Sequence, residues 1–147
     1  MFRKLVVTAP TWINLPLRLA LGAIFIAHGG GKMFGWFGGK GLNAFLSNAP
    51  PFEFMRPAWL WMGAAAISEL LGGVLVLMGL LTRLGAMLIA FVMLAAMFGL
   101  HLKKGFFLPE GYEYTMALLS MALALIIAGG GQLSLDQKLA SSRGRRR

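Results

Sequence analysis

Residues 58–80 read AWLWMGAAAISELLGGVLVLMGL, and this stretch decides the fold. It holds one ionisable side chain, Glu69, in 23 residues. At about 1.5 Å per residue such a helix matches a hydrocarbon core about 30 Å thick. Trp59 and Trp61 open the segment where the aromatic belt of a membrane interface would lie. Ala64, Ser68 and Gly72 recur every four positions, a stripe expected to let another helix approach closely where apolar burial gives little drive for association.

Windows of the same kind occupy residues 14–33, 83–102 and 112–129. Of the 147 residues 58% are hydrophobic and 13% charged, more apolar surface than one soluble core of that length can hide. The windows and their connections use almost the whole chain. The expectation is therefore a single all-α domain over residues 1–147, a polytopic membrane protein built as a four-transmembrane-helix bundle. The first window runs apolar past Phe25 without a small-x-small cleavage pattern and reads as a retained helix, not a signal peptide. LLTRLG, residues 80–85, is short enough to predict a tight antiparallel helical hairpin. The last window repeats the small-residue device at Ser120, Ala124 and Ala128.

The formal net charge of +9 does not point to nucleic acid, because the cations sit at helix ends and in the tail without base-stacking aromatics beside them. With four spans the termini share one side. That side holds Arg3, Lys4, Arg18, Arg83, Lys138, Arg143, Arg145, Arg146 and Arg147, against Lys32, Lys40, Arg56, Lys103 and Lys104 on the other. The positive-inside rule then puts both termini in the cytoplasm. The basic tail is residues 136–147, and its end SSRGRRR, residues 141–147, is expected to be disordered and able to touch anionic lipids. The absence of cysteine excludes internal disulfides, thiolate metal sites and cysteine-ligated clusters, so redox chemistry needs a bound cofactor or a partner.

The connection GWFGGKGLNAFLSNAPPFEFMRP, residues 35–57, mixes glycines, Pro50 and Pro51 with five large aromatics, and Leu42, Phe45 and Leu46 fall at helical spacing. It reads as an interfacial element on the outer leaflet, either a membrane-resting connector or a lid over a site.

Ionisable residues at membrane depth are costly, at least about 2.5 kcal/mol for a charge near the centre, so each requires a reason. Arg18 and Arg83 lie near cytoplasmic ends and can snorkel. Glu69 cannot, standing about 16 Å of helical rise from either end of its window; unpaired there, its charged form is disfavoured. It reads either as a proton carrier or ligand-binding group, or as an acid hydrogen-bonded to a neighbouring helix. His28 and Lys32, one turn apart, reach the outer face, where His101 and Glu113 also arrive. An apolar slot between helices with hydrogen-bonding groups at one end suits a quinone, and an imidazole there can relay protons outward. His28 reads equally as a cap on its own helix end. The candidate catalytic residues are Glu69, His28 and Glu113, and the candidate ligand-binding residues Lys32, His101 and Arg83. The scatter in depth of the two histidines and two acids argues against haem and against zinc; no tightly bound cofactor is expected, and quinone is the candidate ligand.

Four ordered blocks carry a family resemblance: LRLALGAIFIAHGGGKMFG, SELLGGVLVLMGLLTRLGA, HLKKGFF and GYEYTMALLSMALALIIAGGGQLSLD. Together they resemble the DoxX family over nearly the whole chain. The resemblance implies a four-helix integral membrane protein related to quinone-coupled oxidoreductase complexes, including a thiosulfate:quinone oxidoreductase subunit. Residue by residue it carries over His28, Lys32, Glu69, Arg83, Gly105, Phe106, Glu113 and Asp136, without assigning any of them a reaction. The leading expectation is a subunit that binds quinone between its helices for a partner dehydrogenase or oxidoreductase subunit. The second is a non-catalytic assembly or small-molecule-handling membrane protein with structural polar residues. The lipid bilayer is a partner in both, and self-association is left open.

Overall fold

The structure is a computed structural model that describes residues 8 and 11–144, with side chains to Ser141. Arg3, Lys4 and Arg145 to Arg147, cations of the topology argument, lie outside the described residues. The chain is all-α, with six α-helices among the described residues: α1 (Asn14–Phe34), α2 (Gly41–Leu46), α3 (Ala58–Met78), α4 (Thr82–Ala96), α5 (Glu113–Ala128) and α6 (Leu135–Gly144). The helix bounds follow local chemistry. Gly35 and Gly79 stop α1 and α3 at φ 77° and 65°, left-handed conformations that glycine adopts without a Cβ penalty. Pro57 precedes the first turn of α3, where its missing N–H costs no helical bond. After Ala96 the chain runs through a π-helical turn, Met97–His101, and a 3-10 turn, Leu102–Lys104.

The long helices form a ring in which α1 packs on α3, α3 on α4, α4 on α5, and α5 returns to α1. Leu21 and Phe25 of α1, Val76 of α3, Ala86, Ile89, Ala90 and Met93 of α4, and Leu118, Leu119, Ala122 and Leu125 of α5 meet at its centre. Glycines set the α1–α3 approach. A Cβ on Gly22 would meet the Leu77 Cβ at 2.8 Å, one on Gly73 the Ile26 nitrogen at 2.7 Å, and one on Gly29 the Leu70 nitrogen at 2.5 Å. These contacts share one antiparallel register. Extended outward, it sets Lys32 level with Ile67 and Phe34 level with Ala65, so α3 overhangs the end of α1 by about 10 Å.

The small-residue stripes are only in part the packing faces: Gly72 is buried where a Cβ would meet the Gly85 carbonyl oxygen of α4 at 2.9 Å, but the rest of its stripe is not. Ala64 is exposed and Ser68 half-buried, and α3 also buries Met62, Ala66, Glu69, Gly73 and Val76. On α5, Ser120 is exposed while Thr115, Leu118, Leu119, Ala122 and Leu125 are buried. A helix rich in alanine and glycine carries several rows of small residues, and spacing alone does not choose among them.

The helices are tied together at the α3 C-terminal end. Arg18, read from sequence as a snorkelling anchor, is 2% exposed and donates to the carbonyls of Val76, Leu77, Gly130, Gln132 and Leu133 at 3.0–3.4 Å. The C-terminal carbonyls of α3 and those of the turn after α5 supply the partners that water would have supplied at a lipid interface. Asp136 is equally buried. Its carboxylate accepts from the Leu81 and Thr82 amides at 2.7 and 2.9 Å and from the Thr82 hydroxyl at 2.7 Å, capping α4. The expected disorder of residues 141–147 is corrected over 141–144, which belong to α6, while 145–147 lie outside the described residues; Asp136 fixes α6 to the α3–α4 turn.

Ala58–Met78 and Thr82–Lys104 are long and apolar enough to cross a membrane, and Glu113–Ala128 is a shorter apolar helix. Ile67, Leu71, Phe91, Leu94, Leu123 and Ile127 face outward and exposed, a surface suited to lipid rather than water.

Gly29→Val is expected to destabilise the bundle by at least about 1–3 kcal/mol through overpacking. Gly63→Ala, whose Cβ would meet only Leu46 Cδ2 at 3.5 Å, should leave stability unchanged or raised. Thermal unfolding in detergent checks the pair, and equal effects would contradict the register.

Candidate functional site

The overhang leaves the first turns of α3, residues 58–64, without α1 beside them, and the 35–57 connection fills the space. A cavity of ≈ 360 Å³ results, lined by Trp61, Met62, Ala64, Ala65, Ser68 and Glu69 of α3, Phe91, Val92, Ala95 and Ala96 of α4, and Leu100. Lys32 enters from α1, and Phe45, Pro51 and Met55 of the connection complete the wall. The connection is thus a cover over the cavity as well as a link. Leu100 lies in the π-helical turn, where an extra residue per turn displaces the backbone. Trp61 and Phe91 are exposed while Glu69 is 2% exposed, so the space runs inward from the bundle surface to the carboxylate.

Glu69 and Lys32 form an ion pair through Oε1 and Nζ. The lysine ammonium also lies 4.8 Å from the centre of the Phe45 ring, a cation–π contact. Glu69 Oε2 is buried and has no hydrogen-bond partner among the described residues. An ionised oxygen without a donor in apolar surroundings is a costly arrangement, and it stands in the cavity wall.

A second cavity, ≈ 460 Å³, lies on the other side of Lys32, lined by Ala27, His28, Gly31, Trp36 to Gly41, Ala44, Phe45 and Asn48. His28 is exposed there and makes no hydrogen bond to a described residue. It therefore does not cap its own helix end; Gly35 does, through its N–H to the carbonyls of Gly30 and Gly31. Lys32 and Phe45 belong to both cavities.

The other sequence candidates stand apart from the Lys32–Glu69 pair. His101 Nδ1 lies 2.8 Å from the Glu110 carbonyl oxygen, which can only accept, so the ring donates. Glu113 accepts from the Leu108 amide at 2.7 Å and Lys104 pairs with Glu110 at 3.2 Å, ordering the loop before α5. Arg83 is in the first turn of α4, at the far end of that helix from the cavity, donating to the Ile127 carbonyl at 3.0 Å. Sequence reasoning missed Phe45, Met55, Phe91, Val92, Ala95 and Leu100; as ordinary apolar residues of a membrane helix or connection they carried no signal.

The DoxX family description matches residues 13–102. The chain is also 35% identical over 129 residues, 84% of each chain, to a protein of Bacillus subtilis (strain 168) named "Putative oxidoreductase CatD". It belongs to the DoxX family of membrane proteins. No solved structure matches.

The pair is asymmetric, since Lys32 is 27% exposed and borders a second cavity while Glu69 has no other partner. Lys32→Met is expected to cost more stability than Glu69→Gln, about 3–5 kcal/mol for the stranded carboxylate. Adding Glu69→Gln to Lys32→Met should recover most of that loss. A double-mutant cycle of melting temperatures measures it; additive effects would deny the pair energetic meaning.

Proposed function

We propose that this chain is a quinone-interacting subunit of a membrane oxidoreductase system, crossing a bacterial inner membrane with α1, α3, α4 and α5 and keeping both termini cytoplasmic. The observation that carries the proposal is the unpartnered Oε2 of Glu69 at the inner end of an apolar cavity. Such a space suits an amphiphile whose tail lies against Phe91, Val92 and Ala95 and whose polar head meets Glu69 and Lys32. A bound quinone would supply two-electron, two-proton redox chemistry. The chain's own part is to orient the head between ammonium and carboxylate and to exclude water with Phe45, Pro51 and Met55. Lys32, bordering both cavities, stands between Glu69 and His28. His101, Glu113 and Arg83 have no part in this reading beyond ordering the loop and the α4–α5 contact.

The topology draws on the excess of cations on the terminal side and on the lipid-suited outer surface of α3, α4 and α5. The relative from Bacillus subtilis is named an oxidoreductase, which agrees with the reading. Electrons come from a partner subunit, because the chain has no cysteine and only two histidines.

One observation favours the second reading, a non-catalytic assembly or small-molecule-handling protein: the Lys32–Glu69 pair joins α1 to α3 and serves as interhelical glue. Mass spectrometry of quinones retained in native nanodiscs separates the two. Quinone enriched over the surrounding membrane is expected for the wild type, with loss of the enrichment in Ala95→Phe, which fills the cavity. No enrichment in a folded wild-type protein would overturn the quinone reading and leave the second.

A further inference from the structure

The hydrogen-bonding deficit at the cavity end is one-sided, and it bears on which form of a ligand fits. Glu69 Oε2 accepts and has no donor. Lys32 Nζ donates and already serves Glu69 Oε1 and the Phe45 ring. Every other side chain on the cavity wall except Ser68 and the Trp61 indole is apolar. A ligand head with acceptors alone, such as a quinone carbonyl, can use the ammonium but leaves Oε2 as it is, oxygen facing oxygen. A head with a hydroxyl can donate to Oε2 and accept from Nζ with the same oxygen.

We infer that the site selects the reduced, hydroxyl-bearing form of its ligand, a hydroquinone over the matching quinone, and that Glu69 is the residue that sets the preference. The inference rests on the quinone reading above and adds a direction to it. A hydrogen bond to a buried charged oxygen corresponds to a preference of about tenfold or more. Tighter binding of the reduced form raises the reduction potential of the bound couple, by about 30 mV per tenfold preference for a two-electron couple. The site then draws the couple toward the reduced state, as a place where hydroquinone collects or is held.

The test uses the full chain in nanodiscs loaded with equimolar decylubiquinone and decylubiquinol under argon, each quantified by mass spectrometry after capture and compared with empty discs. The expected result is enrichment of the quinol about tenfold over the quinone, falling to less than about twofold in the Lys32→Met, Glu69→Gln double variant, which strands no charge, and kept in Glu69→Asp. Enrichment of both forms to the same extent, or of the quinone above the quinol, would overturn the selectivity while leaving the quinone reading intact. A preference unchanged in the double variant would overturn the assignment to Glu69. Enrichment of neither form would remove the quinone reading itself, and the selectivity with it.

Discussion

The pairing of Lys32 with one oxygen of Glu69, and the lack of any partner for the other, is the constraint around which the outer half of this bundle is arranged. A carboxylate 2% exposed in an apolar helix persists only with a counter-charge, and the counter-charge must come from a neighbouring helix. That requirement fixes where α1 ends. Had the outer ends of α1 and α3 been flush, Lys32 would have stood far above Glu69. Instead the glycine contacts at Gly22, Gly29 and Gly73 hold α1 deep enough for the ammonium to reach the carboxylate. The same depth opens the space above that becomes the cavity.

The opposite end of the bundle is organised by a second set of buried polar groups. Arg18 gathers carbonyls from the end of α3 and from the turn after α5, and Asp136 caps α4 from the start of α6. Every polar atom so named finds a partner there, which is the behaviour of a structural network. At the Glu69 end the network is left one hydrogen bond short, beside a cavity, under a connection rich in aromatics. Arg83 Nε is likewise buried without a partner at the Arg18 end, so what sets Glu69 Oε2 apart is that it stands in the wall of an apolar cavity.

Much of this was legible in the sequence, through composition and hydrophobic run length. Apolar windows bounded by glycine and proline mark α1, α3, α4 and α5, and two of them, Ala58–Met78 and Thr82–Lys104, are long and apolar enough to cross a membrane. Glu69 stood out because a lone acid in such a window needs a reason. The partner of Glu69 was not legible. Depth counted separately along each helix put Lys32 near the surface, and only the α1–α3 register, set by glycine approaches, brings the two together. Arg18 was misjudged for a related reason: proximity to a helix end suggests a route to water, but the carbonyls of Gly130 to Leu133 occupy that route. His101 and Glu113 converge on the outer face in sequence terms, yet their bonds turn toward the loop that joins α4 to α5.

The central claim is that the space between the outer halves of α3 and α4 receives a quinone with its head toward Glu69. Photo-crosslinking with a quinone carrying a diazirine on its tail, followed by peptide mapping, tests it most directly. The account predicts adducts concentrated on residues 91–100 of α4 and on α3 around Ala64 and Ala65, suppressed by excess unlabelled quinone. Adducts spread evenly over the lipid-facing residues of all four long helices, unaffected by competitor, would contradict it.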